Sequence, residues 1–384
     1  MNGADLTILL PLKGRNLFTM RFLWHANEQK VPYRIVIADA EPHPSVQKAI
    51  DNNTFSNLNI VYKVYPPDNT LQDFYAKMAS AAELVKTPYV MQVDNDDFLV
   101  PSGLEYCIDC LDKNEDYVAC SGLIRSMGFD DMTPSVIGSN FDFKSQNNKV
   151  CDINESLPLR RVIDGQVGKT GYYYSVIRTD AFAKIVKAIE SLSLTYLLFH
   201  EFFFELSLLS FGKIKIDGSF CSYIRQTNTS MSGHYKSLEH LLESDLGSDS
   251  RKIKKYLIDE CGIKDDEQGK KELDAFVKDW LVNIKLRNLL NASDYNQKVG
   301  RVKSASPEFV VKLFRVAYKT VNKISSLKVV KLNLLENSAP GYQATFDKEI
   351  DEIKNMLAGN ELREFLERSF ADSPDLLNEL QAHT

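Results

Sequence analysis

At 384 residues, with 44% hydrophobic and 26% charged side chains, the chain has the balance of a soluble globular protein long enough for two domains. Its formal net charge of -6 argues against nucleic acid as the main partner, because phosphate binding asks for a basic excess. Six cysteines form no disulfide framework and no signal peptide is read at the start, so a reducing cytoplasm is the expected setting.

Leu6 to Leu12 (LTILLPL) is an apolar run that predicts a buried strand, and Lys13, Gly14 and Arg15 make a basic loop before a helical pattern from Asn16 to Glu28. Arg34 to Ala38 predicts a second strand ending at Asp39, with a helix after Pro44. Asn59 to Val64 predicts a third, and Leu71 to Val85 an alanine-rich helix leading into a fourth strand at Tyr89 to Val93. Such alternation implies an α/β fold with a mostly parallel sheet flanked by helices, whose ligands lie beyond the strand C-termini. Lys13, Arg15, Asp39 and the loop after Val93 all fall at those ends.

That loop, Asp94-Asn95-Asp96-Asp97, crowds three carboxylates into four positions. Like charges this close raise one another's pKa unless a cation or hydrogen-bond donors offset them. With oxygen donors and no neighbouring Cys or His, the fitting cation is Mg2+ or Mn2+. A solvated Asp/Asn turn and an aspartyl-phosphate nucleophile remain open readings. An EF-hand is excluded, since Leu99 stands where its sharp-turn glycine is required. Cys107 and Cys110 are spaced as CxxC, but a single pair is weak for zinc and reads as helix packing.

Pro101 opens a helix to about Asn114, and Tyr117 to Ile124 predicts another strand. From Arg125 to Lys169 the periodicity dissolves, implying a long irregular connection holding one hairpin. Gly171 to Arg178 is strand-like, and Thr179 is placed to cap a helix over Asp180 to Ser191. Tyr196 to Phe211 is very apolar, yet His200, Glu201 and Glu205 interrupt it, so it reads as a buried helix and not a membrane span. Glu201 and Glu205 share a helix face among aromatics, where desolvation suits a carboxylate to base work. Lys213 to Ile216 and Cys221 to Arg225 are the last predicted strands.

In this order the segments LTILLPLKGR, RIVIADAE, TPYVMQVDNDDFLVPSGLE, HEFFFELSLLSFGKIKI and CSYIRQTNTSMSG resemble the GT-A nucleotide-sugar glycosyltransferases, in particular bacterial family 2-like enzymes. The likeness covers about residues 5 to 234, and the DNDD segment is its most specific part. It implies a GT-A domain over 1–234 followed by a helical domain over 235–384. It also implies that Pro11 and Asp39 contact the donor's base, that Lys13, Arg15 or Lys77 bind the nucleotide region, and that Asp94 and Asp96 hold ribose and metal with Asp97 close by. Glu201 is the implied catalytic base, although the Glu-Asp pair usual at that place is here Glu201-Phe202. His234 matches a region where some relatives place a metal ligand. The implied cofactor is Mn2+ or Mg2+, the donor a nucleotide-diphosphate sugar, and the acceptor a glycan or lipid-linked hydroxyl in bacterial surface polysaccharide synthesis. A non-catalytic protein of this fold, a phosphatase and a nucleotidyltransferase are the alternatives.

Beyond Tyr235 the pattern turns helical, with helices read over 236–244, 250–261, 268–290, 307–325, 346–357 and 360–370. Between Arg301 and Lys331 eight Lys/Arg stand against one acid, Glu308. Lys312, Arg315, Lys319 and Lys323 line one helical face, as on a helix resting on an anionic membrane surface, so peripheral attachment is expected.

Overall fold

The β-branched and leucine residues of LTILLPL form strand β1 (Leu6–Leu12), which runs parallel to β2 (Arg34–Asp39) on one side and β4 (Tyr89–Gln92) on the other. The structure, a computed structural model, describes residues 5–129, 135–138, 141–145, 152–165, 172–226, 244–298 and 341–382. His234, the 227–233 loop, the 236–243 segment and the basic 301–331 stretch lie outside them. β3 (Asn59–Val64) continues the parallel set beside β2, in a register that brings Leu12, Asp39 and Val64 level at one edge. Helices α1 (Asn16–Glu28), α2 (Pro44–Asp51) and α3 (Leu71–Ala82) make the crossovers.

The sheet is less parallel than its first strands suggest. The acidic loop leads into a two-residue strand, β5 (Phe98–Leu99), and helix α4 (Pro101–Lys113). β6 (Tyr117–Phe129), longer than expected, pairs antiparallel with β7 (Phe141–Ser145), which supplies the hairpin. The irregular connection also holds a helix that sequence patterning missed, α5 (Pro158–Asp164). β8 (Val176–Arg178) is antiparallel to both β4 and β6, and the Tyr172–Tyr174 part of the predicted strand is a 3-10 turn. The last two predicted strands are one, β9 (Lys213–Gln226), parallel to β6 with register shifts along the way. The nine described strands run β3-β2-β1-β4-β8-β6-β9-β5, with β7 on β6.

Helix α6 (Thr179–Leu192) starts at Thr179, one residue earlier than predicted, so Thr179 is inside the helix and no side chain caps it. α7 (Leu197–Phe211) follows, then α8 (Leu246–Glu260), α9 (Glu267–Lys298), α10 (Tyr342–Ala358), α11 (Asn360–Ser369) and α12 (Pro374–Ala382), the last unpredicted. Alternating strand residues feed two cores: Leu6, Ile8 and Leu10 face α1, α4 and α10–α11, while Leu9, Val36 and Val90 face α3, α6, α7 and α8–α9. The C-terminal helices therefore close both faces of the sheet. No helix among the described residues is long and apolar enough to cross a membrane.

Two buried histidines link this packing to pH. Burial lowers His25 to about 3, with Arg21 adding to the effect, and lowers His200 to about 4. Both lie below the unfolded value near 6.5, so the folded chain resists protonation that the unfolded chain accepts. Their contribution is complete above pH 6.5 and is lost as pH falls toward 4, by about 1.4 kcal/mol per pH unit for each ring. Urea unfolding at pH 7.5 and pH 5 should show this loss, and a His25→Gln variant should show a smaller one.

Candidate functional site

The site is built where β4 ends and β5 begins. Asp94, Asp96 and Asp97 each present an oxygen within 4.8 Å of the others. Asp96 and Asp97 are buried and Asp94 is half-buried. Three carboxylates this close and this dry repel, and the surrounding groups answer that repulsion. The Tyr174 hydroxyl donates to Asp94 Oδ2 at 2.7 Å, and the Asp94 N–H donates to the Tyr223 hydroxyl at 3.1 Å. The Gln226 N–H donates to Asp97 Oδ1 at 2.7 Å. Asp97 Oδ2 has no hydrogen bond of ordinary geometry; Arg225 Nε stands 4.0 Å from it, and the Tyr223 hydroxyl is near enough to favour its charged form. Burial, then Asp96, pushes both the Asp94 and Asp97 carboxyls above the usual range.

Three guanidinium groups surround the loop. Arg15 Nη2 donates to Asp96 Oδ2 at 2.9 Å. Arg21, fully buried, donates to the Asp96 carbonyl at 2.6 Å and to the Val136 carbonyl at 3.0 Å, its plane lying over Phe18 and Phe98. Arg225 stacks on Tyr174, which itself stacks on Tyr223 at 4.9 Å. Local backbone explains why Arg15 reaches the loop. Gly14 and Arg15 are both left-handed, with φ of 63° and 56°, which turns the chain sharply between β1 and α1 and aims Arg15 across the strand ends. Asn95 fixes the same corner through its bonds to the Arg15 carbonyl and Thr19 Oγ1.

The other residues named from sequence fall along the same edge with different occupations. Pro11 sits in β1 level with Ala38, and Asp39 is level with Leu12. Asp39 is buried, accepting from the Tyr62 hydroxyl at 2.7 Å and the Glu41 N–H at 2.9 Å. Lys77 is buried against Asp68 and donates to the Leu12 carbonyl at 2.8 Å, while Lys13 donates to the Asp68 carbonyl. Burial lowers the Lys77 ammonium, and Asp68 and Asp39 offset that. Asp68, read from sequence only as part of a chain break, is thus the shared partner of two lysines at the strand ends.

Glu201 lies half-buried on α7, whereas Glu205, one turn on, is buried. Tyr173 ties this helix to the acidic loop: its phenol feels both the Asp94 and Glu201 carboxylates and bonds to Gln92. The structure therefore gathers the three aspartates and Arg15 at one stretch of the sheet's edge, with Lys13, Lys77 and Asp39 further along it, while Glu201 lies on α7, whose Phe204 packs against Tyr173. Tyr174, Tyr223, Arg21, Arg225 and Asp68 are site residues that sequence reading missed.

The oxygen-only donor set, its three carboxylates within 4.8 Å of one another, and the raised Asp94 and Asp97 carboxyls suit a hard divalent cation of the Mg2+ or Mn2+ class. No protein-family model matches the chain, and no curated protein matches it in sequence. Among solved structures it is similar to S. aureus TarS: 14% identical with a TM-score of 0.45, covering 97% of this chain and 53% of that one. The crystal structure of TarS 1-349 in complex with UDP is 14% identical with a TM-score of 0.44, over 97% and 88% of the two chains. The complex with UDP-GlcNAc is 12% identical with a TM-score of 0.41, over 75% and 80%. Likeness this loose leaves the reading of the site to its own geometry.

Arg21 offers the sharpest test of how the loop is held. Replacing it with Met strands two buried carbonyls and removes a charge facing Asp96. Arg21→Met should lower stability by about 3 kcal/mol, read as a fall in the urea midpoint.

Proposed function

We propose that this chain is a metal-dependent, inverting glycosyltransferase that moves a sugar from a nucleotide-diphosphate donor to a hydroxyl of a glycan or lipid-linked acceptor in bacterial surface polysaccharide synthesis. The observation that carries the reading is the carboxylate trio at one sheet edge with Arg15 bonded to it; Glu201, half-buried on α7, is the carboxylate proposed as its base. Asp94, Asp96 and Asp97 would hold the cation, which when bound neutralises charge on the departing diphosphate. Pro11, Asp39, Lys13 and Lys77 line the strand ends where the nucleotide would lie. Glu201 takes the proton from the attacking hydroxyl as the new oxygen–carbon bond forms at the anomeric centre. The bond from that carbon to the diphosphate oxygen breaks on the opposite face, inverting its configuration. The domain over 1–234 would carry this chemistry, with 235–384 buttressing it.

The test is nucleoside-diphosphate release from a panel of nucleotide sugars with Mn2+ and candidate acceptors. Glu201→Gln should lower kcat by about 100-fold or more while leaving donor binding within about twofold. Asp96→Ala should abolish the Mn2+ dependence of donor binding. Full turnover in both variants would defeat the assignment, and donor binding without turnover in the wild type would favour a non-catalytic binding protein.

The basic 301–331 stretch supports a further part of this reading, attachment to an anionic membrane surface at the cytoplasmic face. Binding to phosphatidylglycerol vesicles should weaken at least tenfold between 50 and 500 mM salt, numbers set by the roughly 10 Å screening length at 0.1 M. Binding indifferent to salt would remove it.

A further inference from the structure

Of the three arginines at the acidic loop, one is bonded directly to a carboxylate oxygen of the trio. Arg21 is fully buried, aromatic rings cover its plane, and its two bonds go to backbone carbonyls, so it cannot leave without unmaking the loop. Arg225 is held over the Tyr174 ring and reaches Asp97 only at 4.0 Å. Arg15 also lies over a ring, that of Phe18, and is less exposed than Arg225, but it differs from both in its backbone and its partner. It keeps 22% of its side-chain surface exposed, it lies on a left-handed corner with no helix cap of its own, and its partner is the carboxylate oxygen Asp96 Oδ2 itself.

We propose that Arg15 is a coupling residue that competes with a divalent cation for Asp96 and, once displaced, turns to the donor's diphosphate. This rests on the proposed metal site and nucleotide donor and adds to them a thermodynamic link between the two. The guanidinium and a cation draw on the same oxygen, 2.9 Å from Arg15 Nη2, in a trio whose oxygens lie within 4.8 Å of one another. The buried Asp97 Oδ2 has Arg225 no nearer than 4.0 Å and the Tyr223 hydroxyl as a neutral neighbour, so no arginine sits on it at hydrogen-bond distance. A cation that satisfies Asp96 releases a bidentate donor at the strand ends, and a guanidinium fork matches phosphate oxygens as well as it matches a carboxylate. Each ligand then improves the site for the other, by the same factor in both directions. A solvated arginine with no such role would leave cation affinity and anion affinity independent.

The experiment uses the full chain and an Arg15→Ala variant, with Mn2+ alone and UDP as probes, read by titration calorimetry and by the electron paramagnetic signal of free Mn2+. Circular dichroism melts confirm that the variant folds. Removing the competitor should tighten binding of Mn2+ alone by about three- to tenfold, within the usual range of coupling between sites. UDP affinity without metal should be unchanged within about twofold, because Arg15 is then engaged with Asp96. With saturating Mn2+ the variant should bind UDP about tenfold more weakly than the wild type. Mn2+ binding that is unchanged or weaker in the variant, or a UDP defect equal with and without Mn2+, overturns the coupling while leaving the metal site standing. Failure of the wild type to bind Mn2+ at all overturns both.

Discussion

Three carboxylates within 4.8 Å of one another, two of them buried, cannot share a loop unless positive charge and hydrogen-bond donors oppose their repulsion. Much of the surrounding structure is arranged around that requirement. Arg15 and Arg21 stand at Asp96 and Arg225 beside Asp97, and the Tyr174 hydroxyl at Asp94 and the Gln226 N–H at Asp97 bring neutral donors. These groups come from α1, the 3-10 turn and the end of β9, which are distant in sequence. They meet because β5, only two residues long, pairs antiparallel with β9 and lays its Tyr223–Gln226 end along the loop. The short strand is thus the device that turns an acidic turn into an enclosed site.

The helices beyond residue 244 extend that support. Tyr342 of α10 both donates to and accepts from the Cys221 backbone of β9, and Glu349 accepts from the N–H and hydroxyl of Ser102, at the start of the helix that follows the acidic loop. Burial raises the Glu349 carboxyl, and the two Ser102 bonds offset that. Gly103 beside it has no room for a side chain, since a Cβ there would lie 1.8 Å from the Cys221 carbonyl oxygen. The loop is therefore bracketed by α1 on one side and by a tight α4–β9–α10 contact on the other.

The parallel half of the fold was legible because β1, β2 and β4 are short apolar runs ending in charged or proline-marked loops and β3 is rich in strand-forming residues, patterns that one-dimensional reading catches well. The antiparallel half was not. β6 carries Arg125 and Ser126 within it and pairs on both sides, so its polarity imitates a loop; β9 spans Asp217-Gly218-Ser219, which reads as a turn yet stays extended through register shifts. The aspartate trio, Arg15 and Glu201 were legible as residue types at strand ends and on a buried helix. Arg21 was not, because a charged residue at a helical spacing reads as solvated until the fold shows it buried under Phe98. Asp68 was hidden likewise: only its pairing with Lys77, nine residues later in sequence and on a helix, reveals it as more than a chain break.

The rotation of α7, and with it the side of the helix that Glu201 occupies, is set by stacking on either side of it. α7 is apolar nearly all round, so no amphipathic face dictates its rotation. Two stacks do. His200 lies flat on Tyr75 of α3, with centroids 4.2 Å apart, and Phe202 lies flat on Trp280 of α9, at 3.4 Å. Successive helical residues are about 100° apart, so pinning positions 200 and 202 on two different partners leaves 201 a single direction between them. That direction keeps the Glu201 carboxylate in the field of Tyr173 and half-open, while Glu205 is drawn inside. Phe202, its ring on Trp280, is thus an anchor that fixes the helix beside Glu201.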